Sequence, residues 1–394
     1  MPEMSALPAL PNDASPAGEP RIFGLDLLRA AAILSVLGAH AAGGLYPHLP
    51  RWFGLVGHGG FYGVELFFVL SGFLIGGLLL RSNSAIGQRR ELARFYLRRW
   101  FRTLPLFWLF LFVNVAIELA LRHHTLTVAE VLSHGFFLRS LTGNHFTFFA
   151  ESWSLAIEEW FYLLFPVALW CGLKFSARFD AVFLSVAGLF FLGSTLLRLA
   201  GASQPFATWA EWQREVVFYR FDALMIGVFA AWIASRRSAQ WERSRVTAAC
   251  AGTVLLIAMY ATLWNIDRGA LAFGDDNFFA RTFRFNLVSL GFALLLPFAS
   301  TWRLISETLG AVCIRRIALW SYAIYLVHLP VIDLTKHFVA ETWQSSGPCA
   351  FMLFAGQISL AILLSALIYR FYESPITRLR ERFAPSPRAS SRKK

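Results

Sequence analysis

Ten apolar stretches recur along the chain, near residues 22–43, 60–80, 103–121, 152–172, 179–197, 216–234, 246–264, 285–301, 317–335 and 350–369. Each is close to the ~20 residues that a helix needs to cross a hydrocarbon core. The segments between them are short and polar. The sixth, eighth and ninth stretches are interrupted in or near their ends by Arg220, Asp222, Pro297, His328, Pro330 and Asp333. Such groups persist in a bilayer only where neighbouring helices satisfy them. The pattern predicts an all-α, polytopic membrane helix bundle of about ten transmembrane helices.

Composition sharpens this picture. The 394 residues are 57% hydrophobic and only 15% charged, against ~25% charged in soluble domains. The net charge of +12 could point to nucleic acid. However, the basic residues fall between apolar runs, where they orient the chain in a membrane. With the N-terminus placed in the cytoplasm, 25 Lys and Arg fall in inner segments and 9 in outer ones, with Arg29 and Arg220 inside spans. The asymmetry predicts a cytoplasmic (inner) membrane protein with both termini cytoplasmic, surrounded by lipid and without a nucleic-acid partner. Residues 1–20 and 384–394 read as a disordered N-terminal segment and a basic cytoplasmic tail, which leaves 21–383 as one membrane domain. Ala39-His40-Ala41 has the small-x-small look of a signal-peptidase site, but Asp26 and Arg29 interrupt the apolar run before it. Cys171, Cys250, Cys313 and Cys349 form no C-x-x-C pair, and no histidine or carboxylate spacing suits a metal.

Charges inside spans are costly, so each marks a candidate site. Arg29 and His40 are eleven residues apart, which returns to nearly the same helix face roughly 16 Å further along the axis. Asp26 is placed to neutralise Arg29 as an i,i+3 partner. Small residues around His40 leave room for another group to approach, and imidazole is the usual general base near neutral pH. Counted from the outer edges, Glu65, Glu158, Arg220 and Asp222 lie about level with His40. Ser154 shares the face of Glu158, whereas Glu159 points about 100° away, towards the interface. This layer reads as a polar cavity or as a buried network fixing helix register. At the inner rim, Arg98, Arg99 and Arg102 stand among aromatic residues and suit anionic headgroups or a phosphate-bearing soluble ligand equally.

Several motifs carry a resemblance through nearly the whole chain. They are Arg29-x10-His40; Gly63 to Ile75, with Glu65 and Ser71; Arg99-Trp100-Phe101-Arg102; Trp153-Ser154-Leu155 with Glu158; Arg220-Phe221-Asp222; Ser321-Tyr322 with Tyr325 and His328; and Glu373-Ser374-Pro375. In this order they resemble the acyltransferase-3 family of integral membrane acyltransferases, with Glu65 departing from the Asp expected there. The resemblance implies transfer of an acyl group, commonly acetyl, from cytoplasmic acyl-CoA to a hydroxyl of a glycan or lipid-linked saccharide. Acyl-CoA would be a cosubstrate, and no tightly bound cofactor is implied. Some relatives carry a fused extracytoplasmic domain, so a separate extracytoplasmic partner is a further expectation.

On that resemblance His40 is the general base or a transient acyl acceptor. Glu65 or Glu158 orients the imidazole or the sugar, and Arg29 stabilises the oxyanion or guides the pantetheine arm. Arg99 and Arg102 hold CoA phosphates. Asp26, Ser71, Ser154, Arg220, Asp222, Tyr325, His328 and Glu373 support them. The rival classes are a secondary transporter, which also carries charges within its spans, and a scaffold for polysaccharide assembly.

Overall fold

A computed structural model describes residues 22–50, 52–122, 125–141, 148–202, 213–266, 278–304 and 308–384. The N-terminal segment 1–20, the tail beyond Ala384, and residues His123, His124 and His145 lie outside the described residues. Regular structure among those described is entirely helical. That follows from the solvent, because hydrocarbon offers no partner to a backbone N–H or C=O.

Ten longer helices correspond to the apolar stretches: α1 (Phe23–Gly43), α2 (Phe53–Ser82), α3 (Arg89–Ile117), α4 (Ser152–Phe175), α5 (Phe179–Gly201), α6 (Phe221–Arg236), α7 (Arg245–Ile266), α8 (Phe283–Thr301), α9 (Leu309–Phe338) and α10 (Gly347–Ile368). Among the described residues, nine helices are long and apolar enough to span a membrane. The exception is α6, whose 16 residues begin after a 3-10 turn, Val217–Tyr219. The apolar stretch predicted for this pass starts at 216, but the helix starts five residues later. Arg220 and Asp222 therefore stand at its first turn, where other helices enclose them.

The α2 helix is central and mostly buried, while α7 and α10 are peripheral and mostly exposed. Two glycines explain how α6 packs along α2. A Cβ at Gly72 would overlap the Leu224 carbonyl oxygen, and one at Gly227 would overlap that of Val69. Backbones this close place small residues at the crossing, a common way for helices to associate without a hydrophobic drive between them.

Proline lies inside α3, α4, α8 and α9. In α3 the carbonyls near Pro105 find partners on other elements: Tyr322 donates to the Thr103 carbonyl at 2.7 Å, and Tyr372 to that of Pro105 at 3.2 Å. These contacts pin α3 against α9 and the segment after α10, on one wall of the cavity described next.

Candidate active site

A cavity with about 870 Å³ of empty volume, including its open mouth, lies between α1, α2, α3, α4 and α9. Its polar lining is Arg29 from α1, Ser71 from α2, Arg99, Arg102 and Thr103 from α3, Ser154, Glu158 and Glu159 from α4, and Ser321, Tyr322 and Tyr325 from α9. The Glu158 carboxylate accepts from Ser71 Oγ at 2.6 Å and from Tyr162 OH at 2.8 Å. The Arg99 guanidinium lies over the Tyr162 ring, 3.8 Å from its centroid. It sits in the field of both Glu158 and Glu159, while Arg102 sits in that of Arg29, Arg99 and the buried Glu373. Three guanidinium groups thus share one chamber with two carboxylates.

This arrangement corrects the two-level picture expected from residue counting. Glu158 is not a partner of His40 in a separate layer; it shares the chamber with Arg29, Arg99 and Arg102. Counting from helix ends misjudges depth, because α3 starts fourteen residues before its predicted span and carries its arginines into the bundle. Glu159, expected towards the interface, also lines the cavity.

His40 is not among the cavity-lining residues. Its Nδ1 lies 2.8 Å from Nε2 of His328, with the rings nearly parallel at 17° and their centroids 4.9 Å apart. The shared bond requires one ring to donate and the other to accept. His328 is buried, and its ring packs on that of Tyr325 with centroids 5.6 Å apart. The Tyr325 hydroxyl is 2.5 Å from Ser154 Oγ. The cavity wall at Tyr325 and Ser154 is therefore one aromatic ring away from the histidine pair.

Nor does Glu65 meet His40. Its carboxylate pairs with Arg220 and accepts from Ser289 Oγ at 3.0 Å. Beside it, Arg198 donates to Asp222 at 2.8 Å and to Asn286 Oδ1 at 2.6 Å, and Asn286 donates to Asp222 at 2.9 Å. Arg198, Arg220 and Asp222 have no exposed surface. Glu65, Arg220 and Asp222 thus belong to a closed ionic network across α2, α5, α6 and α8, and the buried Asp26 lies in the first turn of α1.

Sequence reasoning missed Tyr162 and Thr103, and it quoted Tyr322 within a motif without giving it a role. Tyr162 is within reach of sequence, since it follows Glu158 by one helical turn and shares its face. Thr103 joins the cavity through tertiary packing alone.

Residues 22–370 match the family model described as an acyltransferase domain, Acyl_transf_3. The chain is 27% identical over 377 residues to the peptidoglycan O-acetyltransferase OatA of Listeria monocytogenes, covering 89% of this chain and 55% of that protein. It is 26% identical over 372 residues to the O-acetyltransferase OatA of Staphylococcus aureus, covering 90% of this chain and 57% of the relative. The chain spans little more than half the length of these curated relatives. No solved structure matches it. With the family match running from the start of α1 to the end of α10, the chain belongs to the acyltransferase-3 family of membrane acyltransferases.

Proposed function

We propose that the protein transfers an acyl group, most simply acetyl, from acyl-CoA to a hydroxyl of a glycan or lipid-linked saccharide on the extracytoplasmic side of the cytoplasmic membrane. Both termini face the cytoplasm in this reading, as the excess of inner Lys and Arg favours. The cavity residues Arg29, Arg99 and Arg102 then lie in the cytoplasmic halves of α1 and α3, the side from which the donor comes. Arg29, Arg99 and Arg102 receive the phosphates and pantetheine of CoA, for which the planar guanidinium offers paired donors.

His40 acts from the other side. As general base it takes the proton of the acceptor hydroxyl while that oxygen attacks the thioester carbonyl. The C–S bond breaks, and the proton passes to the departing CoA thiolate. His328 holds the His40 ring in one tautomer through their shared hydrogen bond. An arginine from the cavity stabilises the oxyanion. In the covalent variant His40 first carries the acyl group itself. Either route requires the Tyr325–Ser154 contact to part, joining the cavity to the histidine pair.

The observation that carries this reading is that His328 and Tyr325 link His40 to an arginine-bearing cavity. The names of the relatives agree with O-acetyl transfer, and one of them names peptidoglycan as its acceptor. O-antigen and other surface polysaccharides are chemically equivalent acceptors.

The test is made with inverted membrane vesicles, labelled acetyl-CoA and extraction of the glycan. Label should appear as a base-labile ester with the wild type and vanish with His40→Ala, while the variant still inserts in normal amount. Full ester formation by His40→Ala removes His40 from the mechanism. Movement of solute without ester formation overturns the enzymatic reading in favour of transport.

A further inference from the structure

His40 stands near the end of α1 in a strongly cationic neighbourhood. The charged groups acting on its ring are Arg214 and Lys336, with His328 as the third neighbour; no carboxylate is among them. Lys336 is half-buried in the last turn of α9. Its ammonium reaches over Gly44, where a Cβ would come within 2.6 Å of Nζ. Arg214 precedes α6 and stacks on Trp153, 4.8 Å from the ring centroid. Among the described residues, neither cation has a carboxylate within ion-pair distance, although Glu215 acts on Arg214 from further away.

The same end of the bundle holds buried polar side chains that other contacts do not satisfy. Gln213, next to Arg214, is 1% exposed, and both its amide atoms are without a hydrogen-bond partner among the described residues. Glu151, just ahead of α4, is 2% exposed, and neither carboxyl oxygen has a partner among the described residues. Its backbone carbonyl accepts from the Tyr325 hydroxyl at 3.3 Å, which fixes it beside the histidine pair. Burial pushes the Glu151 carboxyl up to about 8, so it carries a proton at neutral pH and can donate. Buried amides and carboxyls without partners are rare enough to require an explanation.

A second, open cavity of about 610 Å³ flanks Lys336. It is lined by Ile117, Leu121, Arg122, Asp333, Lys336 and His337. Arg122 in its wall is held by Glu118 at 2.8 Å and Asp333 at 3.0 Å, and among the described residues Lys336 is in no ion pair.

We propose that this end of the bundle is an anionic-saccharide subsite, in which Lys336 and Arg214 receive a carboxylate or phosphate carried by the acceptor and Gln213 and Glu151 bind its hydroxyls. The inference rests on the reading of His40 as the residue the acceptor hydroxyl meets, and it narrows the acceptor from any glycan to one bearing an acidic group. Fixed cations select such a sugar over a neutral one by direct attraction and by leaving buried charge unpaired when the wrong sugar enters.

The full chain in phosphatidylcholine nanodiscs tests this by saturation-transfer NMR, with a glucuronate-terminated disaccharide and its neutral glucose-terminated counterpart as probes. The acidic sugar should bind at least about tenfold more tightly, a difference of roughly 1.4 kcal/mol. Lys336→Gln should remove most of that preference, while Lys336→Arg retains it. Arg214→Gln should act in the same direction, but the rim position of Lys336 makes its variants the decisive ones if Arg214→Gln folds poorly. Equal affinities for the two sugars, or an undiminished preference in Lys336→Gln, would overturn the proposal. So would displacement of the sugar by phosphatidylglycerol added to the nanodisc, which would identify the occupant as a lipid headgroup. Acetyl-CoA turnover in the same nanodiscs reports separately on acyl transfer: selective binding without ester formation would leave the subsite standing and remove the catalytic reading.

Discussion

Two groups of charges sit inside this bundle, and they are built on different terms. In the first, Arg198, Asp222, Arg220 and Glu65 are sealed from solvent, and each charge faces an opposite one. In the second, Arg29, Arg99 and Arg102 share an open cavity with Glu158 and Glu159, and cations outnumber anions among the lining residues. Glu65, Arg220 and Asp222 of the first group and Arg29 and Glu158 of the second are flagged alike by a rule that intramembrane charge marks function. What separates them is occupancy. A closed, paired network fixes how helices meet, whereas an open chamber lined by three guanidinium groups has room for a ligand that is not protein.

The largest effect that tests this contrast is on stability. Asp222→Ala leaves Arg198 buried without its carboxylate, and breaking a buried pair on one side costs about 3–5 kcal/mol. Thermal unfolding of the purified protein should show a large fall in midpoint and loss of monodisperse material. Ser321→Ala, on the cavity wall, should melt near the wild type. If Asp222→Ala melts normally and only turnover falls, the division between register and chemistry is wrong.

Next comes Glu158→Gln. The amide keeps hydrogen-bonding capacity towards Ser71 and Tyr162 but loses the charge that faces Arg99. Turnover should fall by about 10²–10³, in the range for disturbing a donor that stabilises the oxyanion, here Arg99, with little change in melting. A fall in melting equal to that of Asp222→Ala would move Glu158 into the structural group.

The two groups also differ in how far they could be read from sequence. The crossings were largely legible, because a 20-residue apolar run is set by bilayer thickness; the predicted starts at 152 and 179 and the end at 301 coincide with α4, α5 and α8. The short α6 was placed correctly but begun too early, since a hydropathy run does not distinguish a 3-10 turn from helix. Most of the polar residues that line the cavity are named from sequence, yet their partners are not. Helix periodicity relates Glu158 to Ser154 and Tyr162, but it carries no information on which helix stands opposite. His40 and His328 are 288 residues apart, and nothing local to either predicts that they share a hydrogen bond. Assigning Glu65 to His40 on depth alone failed for the same reason, because Arg220 meets that carboxylate first.

A smaller effect is expected at Arg99→Lys. The ammonium keeps the charge but loses the flat stacking on Tyr162 and the paired donors. The KM for acetyl-CoA should rise about tenfold while kcat stays within a factor of two or so, since ground-state binding is what the planar group supplies. An unchanged KM would place donor binding elsewhere than on this arginine.

The smallest effect belongs to a charge in neither group, and it serves as the control. Glu130 lies on the exposed helix Val128–Gly135, in a capping box with Thr127. Its carboxylate accepts from the Thr127 N–H at 2.9 Å and from the hydroxyl at 2.8 Å, and the hydroxyl in turn accepts from the Glu130 N–H at 3.2 Å. These bonds favour the charged form and hold the carboxyl below its ordinary value. A group whose pKa is depressed by folding contributes above its unfolded pKa, and the contribution is lost as pH falls through the folded one. Hydrogen-exchange protection of this helix should therefore weaken on acidification through the carboxylate range. Thr127→Ala should lower protection at neutral pH and flatten that dependence, with turnover unchanged. A turnover defect in Thr127→Ala would mean that this exposed helix communicates with the cavity, and that charge pairing outside the bundle cannot be treated as local.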